Sequence, residues 1–259
     1  MAGPLDGRPA PARAELDALA GGAPYLDCSG LAVGYGRAEI VHGLDLALGR
    51  GQSLCLIGPN GAGKSTVLHG LFGFADILGG TVRLDGRDVT RLPASRKLAE
   101  AGIAYVLQDN SVFPDLTVEE NLLMGGYLLS AAAARDAMER VLARYDRLAR
   151  RRRERAGVLS GGERRLLEIS RALVMEPAVL LIDEPSIGLE PRYIDLVFEV
   201  LADLRAKDGK TIVMVEQNAK KGLEFADIGY VLVAGRLALA GRGRDLLADP
   251  QVGRLFLGG

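Results

Sequence analysis

The stretch "SLCLIGPNGAGKSTVLHGLFG", residues 53–73, decides the fold of this chain. It opens with an apolar run typical of a buried strand, continues into "GPNGAGKST" and ends in an apolar pattern of helical period. Glycines let successive backbone N–H groups curl around phosphate oxygens without a Cβ clash, and the start of a helix adds the positive end of its dipole. Strand, loop and helix in this order predict a P-loop, rather than a chance match within a glycine-rich segment.

The P-loop predicts a nucleotide site that also holds a metal ion. Lys64 is expected to reach the β- and γ-phosphates of ATP, and the Ser65 hydroxyl is expected to ligate Mg²⁺. The residues predicted to bind ATP are Gly58, Pro59, Asn60, Gly61, Ala62, Gly63, Lys64, Ser65 and Thr66.

Apolar runs elsewhere predict the rest of a parallel sheet. Five runs have the length and composition of buried strands: 54–57, 103–107, 179–182, 212–215 and 230–233. Helical patterns separate several of them, and this alternation favours an α/β fold. By contrast, "YLDCSGLAVGYG" and "GGTVRLDGRDV" have the alternation and the glycine turns of exposed antiparallel strands.

The strand signals stop between about residues 109 and 157. In "AAAARDAMERVLARYDRL" one face of the helical pattern is apolar, and a helical insertion between two halves of the sheet is predicted. The residues of that face are Met138, Val141, Leu142, Tyr145 and Leu148.

Composition also divides the chain into parts. Residues 1–24, rich in Ala, Pro and Gly, predict a flexible extension with a short helix near residues 12–20. The ordered domain is expected to cover residues 25–259. Its nucleotide core is expected over about residues 25–108 and 158–259, and its helical subdomain over about residues 109–157.

Charge and cysteine content limit the functions that this chain can have. It carries 32 Lys plus Arg and 33 Asp plus Glu among 259 residues, whereas nucleic-acid binding usually leaves a basic footprint. Cys28 and Cys55 follow no disulfide pattern and indicate a reducing compartment, the cytosol. No apolar run approaches the ~18 residues needed to span a bilayer. We therefore expect a cytoplasmic protein that acts at a membrane only through a partner and binds no nucleic acid.

"VLLIDEP", residues 179–185, predicts the acidic residues of the site. Its apolar run ends in two carboxylates, at the edge of the sheet where the P-loop is also expected. Asp183 is expected to hold Mg²⁺ through water, and Glu184 to orient or deprotonate the attacking water. The alternative is a solvated strand end, which the upstream P-loop makes the weaker interpretation.

A second glycine-rich helix start, "LSGGE", opens the helical pattern "RRLLEISRALV". Ser160 is predicted to be the N-cap, and Glu163 to complete a capping box, which alone is an ordinary helix start. The two glycines also bare backbone donors at a helix N-terminus, which suits a second phosphate-binding surface. The residues of this motif are Leu159, Ser160, Gly161, Gly162 and Glu163.

The P-loop, "YVLQ", "LSGGE" and "LLIDEP" follow one another in an order and spacing that resembles the ATP-binding subunit of ABC transporters. The resemblance covers nearly all of residues 25–259. It implies an α/β, ABC-type P-loop ATPase cassette with a RecA-like core, an antiparallel β subdomain and a helical subdomain. It also implies that two cassettes, of the same or a sister chain, pair head to tail. ATP is then held between residues 58–66 of one and residues 159–163 of the other.

The resemblance also implies roles for single residues. Tyr35 stands where such proteins place an aromatic ring against adenine, although by sequence alone it is as readily a core residue. Gln108 matches the glutamine that reaches the metal ion and the attacking water. Residues 109–121 match the segment that meets a membrane subunit, and Glu190 lies in the loop that crosses the dimer interface.

Within that family the chain most resembles the ATPases of branched-chain or hydrophobic amino-acid importers, through "LTVEENLLMGGY", "DEPSIGLEP" and "VEQNAKKGLEFADIGYVL". This implies an ATPase coupled to transport, peripheral on the inner face of the cell membrane. Its implied partners are a second ATPase subunit, two transmembrane permease subunits and a periplasmic or extracytoplasmic solute-binding protein. The lipopolysaccharide-export ATPase is a near rival, since "LSGGERR" resembles that group as well. A soluble iron–sulfur assembly ATPase is a further alternative.

"IVMVEQNAKK" departs from the common ABC pattern. Its strand is expected beside the strand of residues 179–182, with its polar end towards the γ-phosphate. Most ABC ATPases have a histidine where this chain has Gln217, and neither His42 nor His69 is placed to replace it. An amide donates a hydrogen bond but carries no proton charge. Gln217 is therefore predicted to be a neutral γ-phosphate sensor, with Glu184 as the general base.

Overall fold

The computed structural model describes residues 10–108 and 111–256. Predictions for residues 1–9, for residues 109 and 110 and for residues 257–259 lie outside this part of the chain. They concern the start of the predicted extension, the start of the segment expected to meet a membrane subunit and the end of the chain. Every helix within the described ranges is too short or too polar to cross a lipid bilayer.

The described ranges alternate between strands and helices. The strands are β1 (Leu26–Tyr35), β2 (Ala38–Leu48), β3 (Ser53–Ile57), β4 (Asp76–Leu84), β5 (Arg87–Asp88), β6 (Ile103–Val106), β7 (Val179–Asp183), β8 (Thr211–Val215), β9 (Ile228–Val233) and β10 (Arg236–Arg242). The helices are α1 (Arg13–Leu19), α2 (Lys64–Phe72), α3 (Ala94–Ala101), α4 (Val118–Gly125), α5 (Ala131–Arg144), α6 (Asp146–Ala149), α7 (Gly161–Leu173), α8 (Pro191–Asp208), α9 (Ala219–Phe225), α10 (Gly243–Ala248) and α11 (Pro250–Phe256).

A six-stranded sheet forms the centre of the molecule, with the strand order β10-β9-β3-β8-β7-β6. The five runs predicted as buried strands all lie in it and pair in parallel, whereas β10 pairs antiparallel with β9 at the edge. β8 lies directly beside β7, as the sequence predicts. Since parallel strands all end at one edge, this order brings the residues that follow β3, β6, β7 and β8 together.

The antiparallel strands form a second, four-stranded sheet with the order β2-β1-β4-β5. Its buried side chains join those on one face of β3, β7, β8 and β9 in a shared core. Helices α7 to α11 cover the opposite face, and their apolar side chains pack against it in a separate core, whereas α2 packs within the shared core. The predicted division into antiparallel and parallel strands is present in the structure.

The predicted helical insertion lies between β6 and α7 and consists of α4, α5 and α6. The buried members of its predicted apolar face are Met138, Val141, Leu142 and Leu148. Tyr145 differs because it lies at the junction of α5 and α6, where it is only partly buried. The α4 helix packs against α7, so the insertion contacts the helix that begins with "LSGGE".

The predicted short helix near residues 12–20 is α1, and it packs against the antiparallel sheet. Its Leu16 side chain is fully buried. Arg13 forms an ion pair with Asp27, with 2.6 Å between Nη2 and Oδ1, and Gln52 donates a hydrogen bond to the Leu19 carbonyl over 3.1 Å. The packed part of the chain therefore begins before Tyr25, where composition alone placed its start.

Candidate functional site

The P-loop connects β3 to α2 and leaves the first turn of α2 facing open space. Gly63, directly before the helix, has φ of 93° and makes no side-chain cap. Gly58 at the start of the loop approaches the Leu232 carbonyl so closely that a Cβ would lie 2.2 Å from its oxygen. Both positions need glycine, and they leave the backbone N–H groups of the helix start to a ligand.

Lys64 reaches back across the loop. Its Nζ donates to the carbonyl oxygens of Gly58 and Pro59 over 2.9 Å and 3.1 Å. Burial lowers the pKa of the Lys64 amine, while the nearby carboxylates of Glu184 and Asp183 act in the opposite direction. These contacts hold a positive charge over the concave side of the P-loop, which suits phosphate.

Asp183 ends β7 beside the P-loop, as the sequence predicts. Its Oδ1 accepts a hydrogen bond from the Ser65 hydroxyl over 3.0 Å, and its Oδ2 accepts one from the Tyr105 hydroxyl over 3.0 Å. A serine hydroxyl and a carboxylate at this spacing are the hard oxygen ligands that Mg²⁺ prefers. Sequence reasoning missed Tyr105, whose only signal is a hydroxyl-bearing residue within the otherwise apolar β6.

Glu184 and Gln108 meet at the same edge. The Gln108 Nε2 donates to the Glu184 Oε2 over 2.8 Å. Glu184 has φ of 44°, in the left-handed region that non-glycine residues seldom occupy, and its N–H donates to the Val215 carbonyl over 2.9 Å. The structure thus brings the two predicted residues into contact and holds Glu184 in a strained backbone conformation of the kind found at functional sites.

Of the polar residues after β8, Glu216 is buried and Gln217 is exposed. Glu216 is 1% exposed, and its carboxylate accepts hydrogen bonds from the Ser186 N–H, the Ser186 hydroxyl and the Asn218 N–H, each over 3.0 Å. Burial raises the pKa of Glu216, and these hydrogen bonds oppose the rise. Gln217 is exposed, and its Nε2 lies 3.4 Å from the Asn60 Oδ1 of the P-loop. Glu216, which the sequence analysis did not single out, supports the loop after Glu184, while Gln217 faces the site.

These residues surround an open cavity of about 500 Å³ lined by residues 60–66 together with Tyr35, Gln108, Glu184 and Gln217, among others. Tyr35 is 46% exposed at the rim, so it is not a core residue. Its hydroxyl lies 2.6 Å from the His69 Nδ1. His69, which has no evident partner in the sequence, therefore supports Tyr35. Within the described residues no cluster of three or more His, Cys, Asp or Glu forms a metal site.

The "LSGGE" motif caps its own helix. The Glu163 N–H donates to the Ser160 hydroxyl over 3.3 Å, and the Ser160 N–H donates to the Glu163 carboxylate over 2.9 Å, which is the predicted capping box. Gly162 lies against Tyr193 of α8, where a Cβ would be 2.1 Å from the ring. None of the residues 159–163 lines the P-loop cavity, so within one chain the two glycine-rich helix starts are apart.

A comparison with protein families matches residues 41–187 to the ABC transporter family. The chain belongs to the ABC transporter family. The matched range contains the P-loop, Gln108, Asp183 and Glu184. It confirms the resemblance drawn from the sequence, including the ATPase coupled to transport.

Curated relatives resemble this ABC chain over most of their length. A branched-chain amino acid transport ATP-binding protein of Pseudomonas aeruginosa, BraG, is 42% identical over 87% of this chain and 96% of its own. A probable one of Archaeoglobus fulgidus, LivF, is 37% identical over 88% and 96%. A lipopolysaccharide export ATP-binding protein of Haemophilus influenzae, LptB, is 31% identical over 90% and 97%. The predicted greater likeness to the amino-acid transport group is confirmed.

Solved structures support the ABC fold. A nucleotide-free ATP-binding cassette of an ABC transporter and an ADP conformation of such a cassette each superpose with a TM-score of 0.79. Each is 28% identical to this chain and covers 91% of it and 99% of the solved chain. The predicted fold class, an ABC-type P-loop ATPase cassette, is confirmed.

Proposed function

We propose that this ABC ATPase hydrolyses ATP to drive the import of branched-chain or other hydrophobic amino acids. The observation that carries the hydrolytic part is the contact of Gln108 with Glu184 in the lining of one cavity, which Ser65 also lines while it donates to Asp183. The substrate class is supported by the names of the more similar relatives, at 42% and 37% identity, against 31% for the lipopolysaccharide export protein.

The P-loop is the proposed phosphate-binding half of the site. Residues 58–66 supply backbone N–H groups, and Lys64 leaves its two carbonyl partners to contact the β- and γ-phosphates. Ser65 and Asp183 would hold Mg²⁺, with the amide oxygen of Gln108 as a further ligand; when bound, the ion supplies charge neutralisation on the phosphates. Tyr35, exposed at the rim of the cavity, supplies a ring for adenine.

Glu184 is the proposed general base. Its carboxylate accepts the proton of the attacking water, and Gln108, already 2.8 Å from that carboxylate, orients the water. Gln217 faces the cavity from the end of β8, beside Asn60 of the P-loop. There its amide donates to the γ-phosphate without adding charge.

The partner half of the site comes from residues 159–163 of a second cassette, identical or a sister chain. Two transmembrane permease subunits contact the segment after Gln108 that the sequence predicts to meet a membrane subunit, and they hold the ATPase at the inner face of the membrane. A solute-binding protein outside the membrane delivers the substrate. Residues 159–163 do not line the P-loop cavity of their own chain, and this supports the pairing, since a site that uses both motifs then needs two chains.

The test is ATP turnover by the complex reconstituted with its permease subunits. Glu184→Gln is expected to lower kcat by roughly 10²–10⁴-fold, the usual contribution of a general base, while Mg-ATP binding stays within about threefold of wild type. Unchanged turnover by the variant would reject the role of Glu184. Stimulation of the wild-type rate by lipopolysaccharide, and not by a branched-chain amino acid with its binding protein, would favour the export alternative.

A further inference from the structure

Helix α7 contacts the catalytic edge through three charged side chains on one face, Arg165, Glu168 and Arg171. Their spacing of three residues places them in a row along the helix. Arg165 and Glu168 are 4% and 7% exposed, which is rare for charged residues unless they are paired. The row begins one turn after the capping box of Ser160, so one short helix carries both the "LSGGE" motif and these contacts.

Arg165 reaches the backbone of both catalytic segments at once. Its Nη1 donates to the Leu107 carbonyl over 2.8 Å, and its Nη2 donates to the Gln108 carbonyl over 2.5 Å and to the Glu184 carbonyl over 3.3 Å. A planar guanidinium presents several donors in a fixed fork, which an ammonium group does not. Gln108 and Glu184, whose side chains are hydrogen bonded to each other, therefore also accept hydrogen bonds from the same guanidinium through their backbone carbonyls.

Glu168 orients Arg165 and extends the contact along the chain. Its Oε2 accepts from the Arg165 Nη1 over 2.8 Å, and its Oε1 accepts from the Ser111 N–H over 3.2 Å. Arg171, further along the row, donates to the Ser111 carbonyl. The segment that carries Gln108 is thus held by α7 on both sides of residues 109 and 110.

We propose that Arg165 is a positioning residue that sets the geometry of Gln108 and Glu184 and ties it to helix α7. The inference rests on the proposed function, because it assigns Arg165 a task only if Gln108 and Glu184 act on ATP. Arg165 donates to the carbonyl of Glu184, a residue in the left-handed backbone conformation whose N–H donates to Val215, so both backbone polar groups of Glu184 are held. Arg165 does not itself line the P-loop cavity and contacts two of the lining residues only through their backbone carbonyls, so its loss acts on turnover more than on nucleotide binding.

The test compares variants in the complex with its permease subunits. Arg165→Met alone leaves the Glu168 carboxylate buried without its cation, which is strongly destabilising; the double variant Arg165→Met with Glu168→Gln removes both charges and keeps an acceptor for Ser111. We expect kcat of the double variant to fall at least tenfold, with the Kd for Mg-ATP within about threefold. Arg165→Lys keeps the charge but not the fork, and its kcat is expected to fall at least fivefold.

Arg164→Met is the matched control, because Arg164 is the exposed neighbour on the same helix and its kcat is expected to stay within twofold. A cycle with Gln108→Ala separates positioning from a general structural role. If Arg165 acts through Gln108, Arg165→Lys costs less in the Gln108→Ala background than in wild type, whereas equal costs in both backgrounds overturn the proposal. A kcat of Arg165→Lys within twofold of wild type overturns it as well. Failure of the proposed function gives a different result from failure of the Arg165 proposal, because wild type then shows no turnover that depends on Glu184.

Discussion

Two helices in the described part of the chain begin with a glycine-rich motif, and they differ in how their first N–H groups are capped. Helix α2 follows Gly63 in a left-handed conformation and has no side-chain cap. Helix α7 follows Ser160 and closes its first turn with a capping box to Glu163. The donors of α2 face a cavity of about 500 Å³, whereas the motif of α7 lies outside it.

The difference shows that the two motifs are not equivalent halves of one pocket in a single chain. The P-loop has a positive side chain, Lys64, already over its concave face. The capping box of α7 satisfies the N–H groups of Ser160 and Glu163 within its own chain, so it supplies part of what a ligand supplies at the start of α2. This difference fits the proposal that residues 58–66 bind phosphate in their own chain and that residues 159–163 complete the site of another chain.

Among variants that test this contrast, Lys64→Ala is expected to have the largest effect, a loss of affinity for Mg-ATP. Hydrogen bonds to charged groups contribute about 1.5–3 kcal/mol each, so we expect the Kd for Mg-ATP to rise by roughly 10–100-fold. Equilibrium binding of a fluorescent ATP analogue measures this change. Lys207→Ala, at an exposed lysine of α8 paired with Asp203, serves as the control. Binding within threefold of wild type would break the assignment of the phosphate site to the P-loop.

A smaller effect is expected from Gln217→Ala. Loss of one neutral hydrogen bond is worth about 0.5–1.5 kcal/mol, which corresponds to a fall in kcat of up to roughly tenfold, well below that of Glu184→Gln. Steady-state turnover and amino-acid uptake in proteoliposomes measure it, with Gln217→His as the variant that keeps a donor. Normal hydrolysis together with full transport coupling in Gln217→Ala would show that Gln217 is not a sensor.

The smallest effect concerns the other end of α2. Lys97 is fully buried and donates to the carbonyls of Gly70 and Leu71 in the last turn of α2. Burial lowers the pKa of its amine from 10.5 to about 8, so between these pH values the unfolded chain binds more protons than the folded one. The free energy of unfolding therefore rises with pH over this range, and this gain is lost as the pH falls through 8.

The expected outcome is that the free energy of unfolding of wild type, measured against Lys97→Met by urea denaturation, rises by roughly 1 kcal/mol from pH 7 to pH 9. A difference between the two proteins that stays constant over this range would show that the Lys97 amine keeps its ordinary pKa. In that case the end of α2 is held by a charged lysine throughout.

The sequence predicts the elements whose signal is local. The five parallel strands are continuous apolar runs, and the P-loop and the capping box of Ser160 are short patterns with fixed spacing, so their positions follow from period and residue type. The placement of Asp183 beside Ser65 follows from the common edge of parallel strands. The N-terminal boundary was set too late, because composition does not reveal that Leu16 is buried by β2.

The missed residues act through contacts between distant parts of the chain. Tyr105 donates to Asp183 from a neighbouring strand, and Arg165 donates to carbonyls 57, 58 and 19 residues away. Glu216 looks like its neighbour Gln217 in the sequence, yet it is buried under Ser186. Every residue has a backbone carbonyl, so the side-chain pattern does not indicate which carbonyls will accept a hydrogen bond from Arg165.

The most direct test of the contrast between the two helix starts is amide hydrogen exchange in the Glu184→Gln variant, with and without Mg-ATP. In the isolated chain at concentrations where it is monomeric, Mg-ATP is predicted to slow exchange in residues 58–66 and to leave residues 159–163 unchanged. In the complex with its partner cassette and permease subunits, both segments are predicted to slow. Protection of residues 159–163 in the monomer, or none in residues 58–66, would contradict the account.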